Sequence, residues 1–156
     1  MNHEYYMNLA IEQAKIAANL DEVPVGSVIV DISGNIIGHG YNQTISKCDP
    51  TAHAEIIAIK MAALSIGNYR LCGATIYSTI EPCIMCMGAI IHSRFARLVY
   101  GASDSKWGAA GSIYNFAHDN RLNHKIEIVS GICFSETREI IKVFFKDKRS
   151  NKQCQI

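Results

Sequence analysis

Two acidic residue–proline pairs, Asp49–Pro50 and Glu81–Pro82, constrain the fold of this chain more than any other feature of its sequence. Such a pair is typical of a helix start, because the carboxylate can cap free N–H groups and proline has no N–H to leave unpaired there. Apolar helical patterns follow both pairs, over about 51–66 and about 83–92, and a β-rich run at 73–79 lies between them. The sequence therefore predicts strands that alternate with helices.

The rest of the chain continues this alternation. A helix is predicted over 4–20, with an apolar stripe of Tyr6, Leu9, Ala10, Ile16, Ala17 and Leu20. We predict further strands at 23–30, 36–42, 96–101 and 125–131, a loop-rich stretch at 102–124 and a terminal helix over about 135–149. The order α-β-β-α-β-α-β-β-α indicates a single α/β domain over residues 1–156. It predicts a three-layer α/β/α sandwich, with one mixed five-stranded sheet covered on both faces.

Charge gives little indication of a partner. The formal net charge is +1, which predicts neither nucleic-acid nor membrane binding. However, 6 of the 15 Lys and Arg residues lie in the last 19 positions, namely Arg138, Lys142, Lys146, Lys148, Arg149 and Lys152. From composition alone, this cluster is interpreted as a solvated helix face and a frayed tail.

The chain has six cysteines, at positions 48, 72, 83, 86, 133 and 154. The first residues, MNHEYYMNLAIEQ, carry no basic segment before an apolar run. The longest stretch without a charged or strongly polar residue, CIMCMGAII, is too short to span a bilayer. We therefore expect a cytoplasmic protein with reduced thiols, in which clustered cysteines bind metal or catalyse rather than cross-link.

Cys83 and Cys86 form a C-x-x-C motif, PCIMC, at one of the predicted helix starts. Residues three apart share one helix face, and the positive end of a helix favours thiolates. Alone, the motif fits a redox pair, half of a structural zinc knuckle or two ordinary buried cysteines. His53 lies near the other predicted helix start, and helix starts that follow strands of one sheet commonly gather at the same edge. One imidazole and two thiolates suit Zn2+ and leave a fourth position for water.

Glu55, two residues after His53, could exchange protons with that water without binding the metal. Two alternatives remain open. Cys48 or Cys72 could be a fourth ligand that closes a structural site. The chain could also hold no metal, with His53 partly buried and Glu55 at the surface.

HAE at 53–55 and PCIMC at 82–86 together match the H-x-E…P-C-x-x-C signature of zinc nucleobase deaminases. The longer segments EVPVGSVIV, GNIIGHGYN, DPTAHAEI, EPCIMCMGAIIHSR and GASDSKWGAAGS resemble bacterial tRNA-specific adenosine deaminases over nearly the whole chain. These enzymes are a branch of the cytidine and deoxycytidylate deaminase superfamily. The resemblance implies a cytidine deaminase-like fold and hydrolytic deamination of adenosine to inosine at the wobble position of a tRNA anticodon.

The resemblance also implies roles for individual residues. His53, Cys83 and Cys86 would hold one Zn2+ per subunit, and Glu55 would transfer the protons of the reaction. Substrate contacts are implied for the Asn42 side chain, the backbone N–H of Ala54 and a groove for the anticodon loop formed by Val25, Asp104, Lys106 and Phe145. The alternatives are ordinary ones: a turn residue at Asn42, a strand core residue at Val25, a loop cap at Asp104, a solvated Lys106 and a packed Phe145.

The family is homodimeric, which implies a homodimer here. The segment MGAIIHSRF (87–95) supplies apolar and arginine residues suited to an interface, although a core helix is equally compatible with it. The chain departs from the family pattern in QTISKC (43–48) and at Trp107, where a small polar residue is usual. These departures concern how the flanking nucleotides are held, and Trp107 could stack on a base or pack on the partner subunit.

Two other functions remain open on the sequence. One is a small-molecule deaminase acting on guanine, cytosine or a nucleoside, against which the extended segments and the basic terminal helix argue. The other is a non-catalytic, zinc-stabilised RNA-binding module. That module would have four protein ligands and a dispensable Glu55.

Overall fold

The computed structural model describes residues 2–153, and the side chains of residues 2–150. Within this range five strands form one sheet: β1 (Gly26–Val30), β2 (Ile36–Tyr41), β3 (Thr75–Ile80), β4 (Arg97–Ala102) and β5 (Glu127–Ser130). Their spatial order is β2-β1-β3-β4-β5. β1 is antiparallel to both β2 and β3, whereas β3, β4 and β5 are parallel. The predicted mixed five-stranded sheet is confirmed.

Four α-helices cover the two faces of this sheet: α1 (His3–Asn19), α2 (Ala54–Ile66), α3 (Ile84–His92) and α4 (Phe134–Gln153). A 3-10 helix at Phe116–His118 interrupts the predicted loop-rich stretch. α1 and α4 pack on one face, and α2 and α3 pack on the other. The predicted order of elements and the three layers are therefore correct. In the described part of the chain, no helix combines the length and the apolar character that crossing a membrane requires.

Alternate residues of the central strands point into two separate cores, as the period of two in a strand requires. The core under α1 contains Met7, Ala10, Ile11, Val28, Val30, Tyr77 and Val99. The core under α2 and α3 contains Ile29, Ala58, Ala62, Ile76, Met87, Ile90 and Leu98, among others. This second core supports the helices whose first residues were predicted to bind metal.

The buried face of α1 differs from the predicted stripe. Met7, Ala10, Ile11, Ala14 and Ala17 are buried, whereas Ile16 and Leu20 are 39% and 56% exposed. The reason is steric, because α1 lies directly against β1 at Gly26. Only small side chains fit at that contact, so alanines occupy it and the larger apolar residues turn away. The prediction is thus correct for Ala10 and Ala17, which are buried, and for Tyr6 and Leu9, which pack against the core, and it is wrong for Ile16 and Leu20.

The two acidic residue–proline pairs are not the helix caps that the sequence suggested. α2 begins at Ala54 with His53 as its N-cap, and the Asp49 carboxylate instead accepts hydrogen bonds from the N–H and hydroxyl of Thr51 in the preceding turn. α3 begins at Ile84 with Cys83 as its N-cap. The predicted metal ligands, not the acidic residues, thus occupy the cap positions.

Four chain segments reach one edge of the sheet. β2, β3 and β4 end there and β1 begins there, because Gly26 pairs with Tyr41 and Ser27 pairs with Ser78. α2 packs closely on β2 near this edge, since a side chain at Gly40 would lie 2.6 Å from the carbonyl oxygen of Ala54. This edge carries the starts of α2 and α3, as expected for ligand sites in α/β sheets.

We predict that Gly26→Ala destabilises the fold by about 2 kcal/mol or more, because overpacking against rigid backbone is costly. The added methyl group would clash with the carbonyl oxygen of Ala10 and lie 2.5 Å from the Ala14 nitrogen. Urea denaturation measures the change. Gly88→Ala in α3 is the matched control, because its methyl group meets no atom within 4 Å and alanine favours a helix. Equal stability of the two variants would contradict the close contact between α1 and β1.

Candidate metal centre and substrate groove

His53, Cys83 and Cys86 meet at the sheet edge where α2 and α3 begin. His53 and Cys83 are the two N-cap residues, and Cys86 lies one turn into α3. The Nδ1 atom of His53 is 3.7 Å from the sulfur of Cys83 and 3.5 Å from the sulfur of Cys86. All three ligand atoms lie within 4.8 Å of one another. Residues 30 positions apart in sequence thus form one compact donor set.

This donor set fits zinc. Tetrahedral Zn2+ at about 2.0 Å from nitrogen and 2.3 Å from sulfur separates these two donors by about 3.6 Å, close to the distances seen here. In the described residues the cluster has three members, and both Cys48 and Cys72 are exposed outside it. A closed site with a fourth cysteine is therefore excluded for these two residues. Three protein ligands leave one position open, as in catalytic zinc sites.

The three donors lie within hydrogen-bonding distance of one another. The pKa of Cys83 falls to about 4, because it accepts a hydrogen bond from Cys86 and interacts with His53. The same interaction with Cys83 raises the pKa of His53 above 6.5. The thiolate is the metal-binding form of cysteine, so this surrounding prepares Cys83 as a ligand.

Glu55 lies beside this cluster in the first turn of α2. Its carboxylate is only 2% exposed. The hydroxyl of Ser78 donates to Oε1 at 3.0 Å, and the sulfur of Cys86 lies 3.5 Å from Oε2. Burial raises the pKa of Glu55 above its ordinary value of 4.5. A buried carboxyl group with a raised pKa, next to an open metal position, is suited to proton transfer.

Asn42 follows the last residue of β2 and is held by the start of α2. Its Oδ1 atom accepts a hydrogen bond from the N–H of Ala54 at 2.9 Å. In this structure the Ala54 N–H is therefore bonded to Asn42, and its predicted contact with a base stays a prediction. Since Oδ1 is engaged, the amide NH2 of Asn42 is the group left to meet a ligand.

A groove of about 1040 Å3 opens over the cluster. Eight of the predicted site residues line it, namely Val25, Asn42, His53, Glu55, Cys83, Asp104, Lys106 and Phe145. The other two, Ala54 and Cys86, are fully buried behind its wall. The structure thus brings together residues from six parts of the chain that the sequence analysis assigned to one site. Trp107 also lines the groove.

Glu22, which the sequence analysis missed, holds one rim of the groove. Its carboxylate is buried and accepts hydrogen bonds from the backbone N–H groups of Ile45 and Ser46, at 3.1 and 2.7 Å. Thr44, in the same segment, lines the groove. Burial alone would raise the pKa of Glu22, but the hydrogen bonds from Ser46 and Ile45 outweigh it and hold the pKa below 4.5.

Glu81 holds a second part of the rim. This role, and not the capping of α3, accounts for the acidic residue before Pro82. The buried carboxylate accepts hydrogen bonds from the N–H groups of Asp104, Ala110 and Ser112, at 3.1, 3.0 and 2.9 Å, and from the Ser112 hydroxyl. These bonds fix the loop 103–115, which carries several groove residues. The sequence carried no local signal for this role, because the residues that Glu81 bonds lie 23 to 31 positions later in the chain.

α4 forms the outer wall of the groove through Ile141 and Phe145. Arg138, Lys142, Lys146 and Arg149 are exposed on this helix. Lys148 pairs with Asp21 at 2.5 Å and so ties α4 to the end of α1. Of the predicted basic cluster, Lys152 falls outside the described side chains, as does Cys154. The described side chains of α4 include five basic residues and three acidic ones, Glu136, Glu139 and Asp147, so the helix carries a net positive charge.

Comparison with known proteins agrees with this arrangement. Residues 1–102 match the family model for the cytidine and deoxycytidylate deaminase zinc-binding region. The tRNA-specific adenosine deaminase of Haemophilus influenzae is 49% identical over 97% of this chain and 88% of its own length. A solved structure from a study of A-to-I editing by tRNA:A34 deaminases at the wobble position has a TM-score of 0.84 and 43% identity, over 87% of this chain and 98% of its own. The guanine deaminase of Bacillus subtilis has a TM-score of 0.62 and 40% identity, over 66% of each chain.

We predict that Cys86→Ser abolishes stoichiometric zinc binding, because serine does not supply the thiolate that this donor set requires. Metal analysis of the purified protein measures the zinc content. Cys72→Ser is the matched control and retains one zinc per chain, since Cys72 is exposed outside the cluster. Full zinc content in Cys86→Ser, or its loss in Cys72→Ser, would contradict the assignment.

We predict that Glu22→Gln lowers stability at pH 7 by about 1–3 kcal/mol, because the amide replaces a buried acceptor of two backbone N–H groups. The pKa of Glu22 is lowered in the fold, so its contribution is present above pH 4.5 and is lost as the pH falls through the folded-state value. Urea denaturation from pH 7 to pH 3 should therefore show the two proteins converging below about pH 4.5. Glu139→Gln, at an exposed site, should leave the curve unchanged. A constant difference across this range would argue against the role of the Glu22 charge.

Proposed function

Because this chain belongs to the cytidine and deoxycytidylate deaminase family and, within it, to the tRNA-specific adenosine deaminases, we propose that it hydrolyses adenosine to inosine at the wobble position of a transfer RNA anticodon. The observation that carries the proposal is an open three-ligand metal centre beside a buried carboxyl group, at the floor of a groove. Water is consumed and ammonia is released.

His53, Cys83 and Cys86 hold the zinc of this family. When bound there, the ion supplies a Lewis acid that makes water a nucleophile near neutral pH. The core under α2 and α3 keeps both helix starts in place and so fixes the three donors relative to one another.

Glu55 moves the protons. Hydrolysis requires one proton to leave the attacking water and another to reach the departing amine. The Ser78 hydroxyl fixes Oε1 of Glu55, which leaves Oε2, on the side of Cys86, as the oxygen that accepts and returns the proton. Burial keeps bulk water from competing for it.

Asn42 orients the base. Its Oδ1 atom is bonded to the Ala54 N–H, so its NH2 group donates to an acceptor nitrogen of the purine. An adenine presents such an acceptor at N7 and elsewhere on its ring. In this arrangement Ala54 orients Asn42 through its N–H, and a direct contact between Ala54 and the base stays a prediction.

The groove accommodates more than a single base. Its volume of about 1040 Å3 is at the upper end of the roughly 300–1,000 Å3 that pockets for small ligands occupy. Val25 and Phe145 supply apolar surface, and Asp104 and Lys106 supply polar contacts, for nucleotides beside the target adenosine. The exposed basic residues of α4 attract the phosphates of the RNA.

We also propose that the chain forms a homodimer through the outer face of α2 and α3. Met61, Leu64 and Ile84 are exposed there, and Leu64 is 84% exposed. In the segment 87–95, Met87, Ile90 and Phe95 are buried in the core of the subunit, so only its other residues are available to a partner. A transfer RNA substrate and reduced thiol ligands both fit a cytoplasmic location, which we propose as well.

The two competing functions are weaker. A non-catalytic zinc module needs four protein ligands, whereas the described residues offer three. A small-molecule deaminase remains the stronger rival, since the similarity to a guanine deaminase reaches 40% identity. That similarity covers 66% of this chain, compared with 97% for the tRNA-specific relative.

We predict that the protein forms inosine in an anticodon stem-loop RNA with adenosine at the wobble position, and that Glu55→Gln lowers turnover by about 100-fold or more while zinc remains bound. Nucleoside analysis of the digested RNA measures inosine, and metal analysis measures zinc. The matched control is Glu4→Gln, at an exposed site in the first turn of α1 that does not line the groove, and it should retain full activity.

Free adenosine, guanine and cytosine are offered in parallel. Deamination of a free base with no inosine in the RNA would show that the proposed substrate is wrong, while the proposed role of the metal would stand. Loss of zinc from Glu55→Gln would contradict a role restricted to proton transfer.

A further inference from the structure

Trp107 is the only tryptophan of the chain and stands on the wall of the substrate groove. Its side chain is 66% exposed. A single exposed apolar residue is common and needs no explanation by itself. Trp107 differs because its exposed ring lies in the groove that also contains His53 and Glu55.

The backbone that carries Trp107 is fixed on both sides. The Asp104 carboxylate accepts hydrogen bonds from the N–H groups of Lys106 and Trp107, at 2.8 and 3.2 Å. The N–H of Gly108 donates to the Asp104 carbonyl at 3.0 Å, and the N–H of Asp104 itself donates to the buried Glu81. The indole ring is therefore presented by a pre-organised loop, which lowers the entropic cost of binding through it.

The surroundings of Trp107 match a nucleotide. Lys106 next to it provides a positive charge for a phosphate, and Phe145 of α4 provides a second aromatic ring in the groove. A flat aromatic surface beside a cation is how proteins commonly hold single-stranded RNA, with a base on the ring and its phosphate on the cation. The ring shares the groove with the metal ligands, so a substrate that reaches Glu55 passes within its reach.

We propose that Trp107 stacks on a nucleobase adjacent to the target adenosine in the anticodon loop and thereby holds that loop in the groove that contains Glu55. This inference rests on the proposed function, since it names a residue that holds the flanking part of the same substrate. It assigns Trp107 to the RNA and not to the partner subunit.

Fluorescence tests the contact directly, because all tryptophan emission of the protein comes from this one ring. The stem-loop RNA is titrated into Glu55→Gln, which leaves the substrate intact. We expect saturable quenching, as a stacked base produces. An abasic nucleotide placed on one side of the wobble adenosine should remove the quenching, and one placed on the other side should not.

Kinetics provide the second measurement. Trp107→Ala should raise KM for the stem-loop by about 10-fold or more with kcat nearly unchanged, as expected for loss of one stacked base. Trp107→Phe should restore most of the affinity, because it keeps an aromatic ring. Tyr69→Ala is the matched control, since Tyr69 is 65% exposed and does not line the groove. The abasic RNA that abolishes quenching should bind wild type and Trp107→Ala equally.

Three results would overturn the inference. If Trp107→Ala forms inosine with an unchanged KM, the stacking role of Trp107 is wrong and the proposed function stands. RNA-independent changes in emission with protein concentration, together with a weaker dimer in Trp107→Ala, would assign the ring to the subunit interface. Quenching that persists with either abasic RNA would show that no neighbouring base stacks on it. Failure of the proposed function is distinct, because wild type would then form no inosine in the RNA.

Discussion

The close packing of α2 on β2 at Gly40 is the contact on which the rest of the site depends. No side chain separates the strand from the helix, so α2 begins directly beside the end of β2. This brings Asn42 to 2.9 Å from the Ala54 nitrogen and, one residue earlier, places His53 3.5 Å from Cys86. A single steric constraint thus determines the position of a metal ligand and of the residue proposed to orient the base. The carboxylate that we propose as the proton-transfer group follows from the same contact, because Glu55 lies in the first turn of that helix.

Two buried carboxylates fix the loops at the rims of the groove. Glu22 accepts the N–H groups of the segment 44–46, and Glu81 accepts those of the loop 103–115. Backbone N–H groups in loops ordinarily bond to water, so each carboxylate replaces solvent with a fixed acceptor. The groove is therefore bounded by loops whose shape is set from the protein interior. Substrate binding then has little loop ordering to compensate, which favours affinity for a flexible RNA loop.

The parts of the structure that could be predicted from sequence are those with local signals. Residues three apart on a helix, such as Cys83 and Cys86, share a face wherever the helix lies. Alternating periodicity likewise specified the order of strands and helices. The errors concern long-range contacts. Glu22 bonds to residues 23 and 24 positions away, and Glu81 bonds to residues 23 to 31 positions away. Ile16 and Leu20 were misplaced because the fit of α1 against Gly26, not their hydrophobicity, selects the buried face.

The identity of the two N-cap residues affects the stability of α2 and α3. His53 and Cys83 make no side-chain capping hydrogen bond, although serine, threonine, aspartate and asparagine are the usual residues at this position. Each helix forgoes about 1 kcal/mol in this way. A metal ion that binds the folded chain between the two caps adds stability that grows with the logarithm of its free concentration. We therefore expect the stability of the fold, and not only the chemistry of the site, to depend on bound zinc.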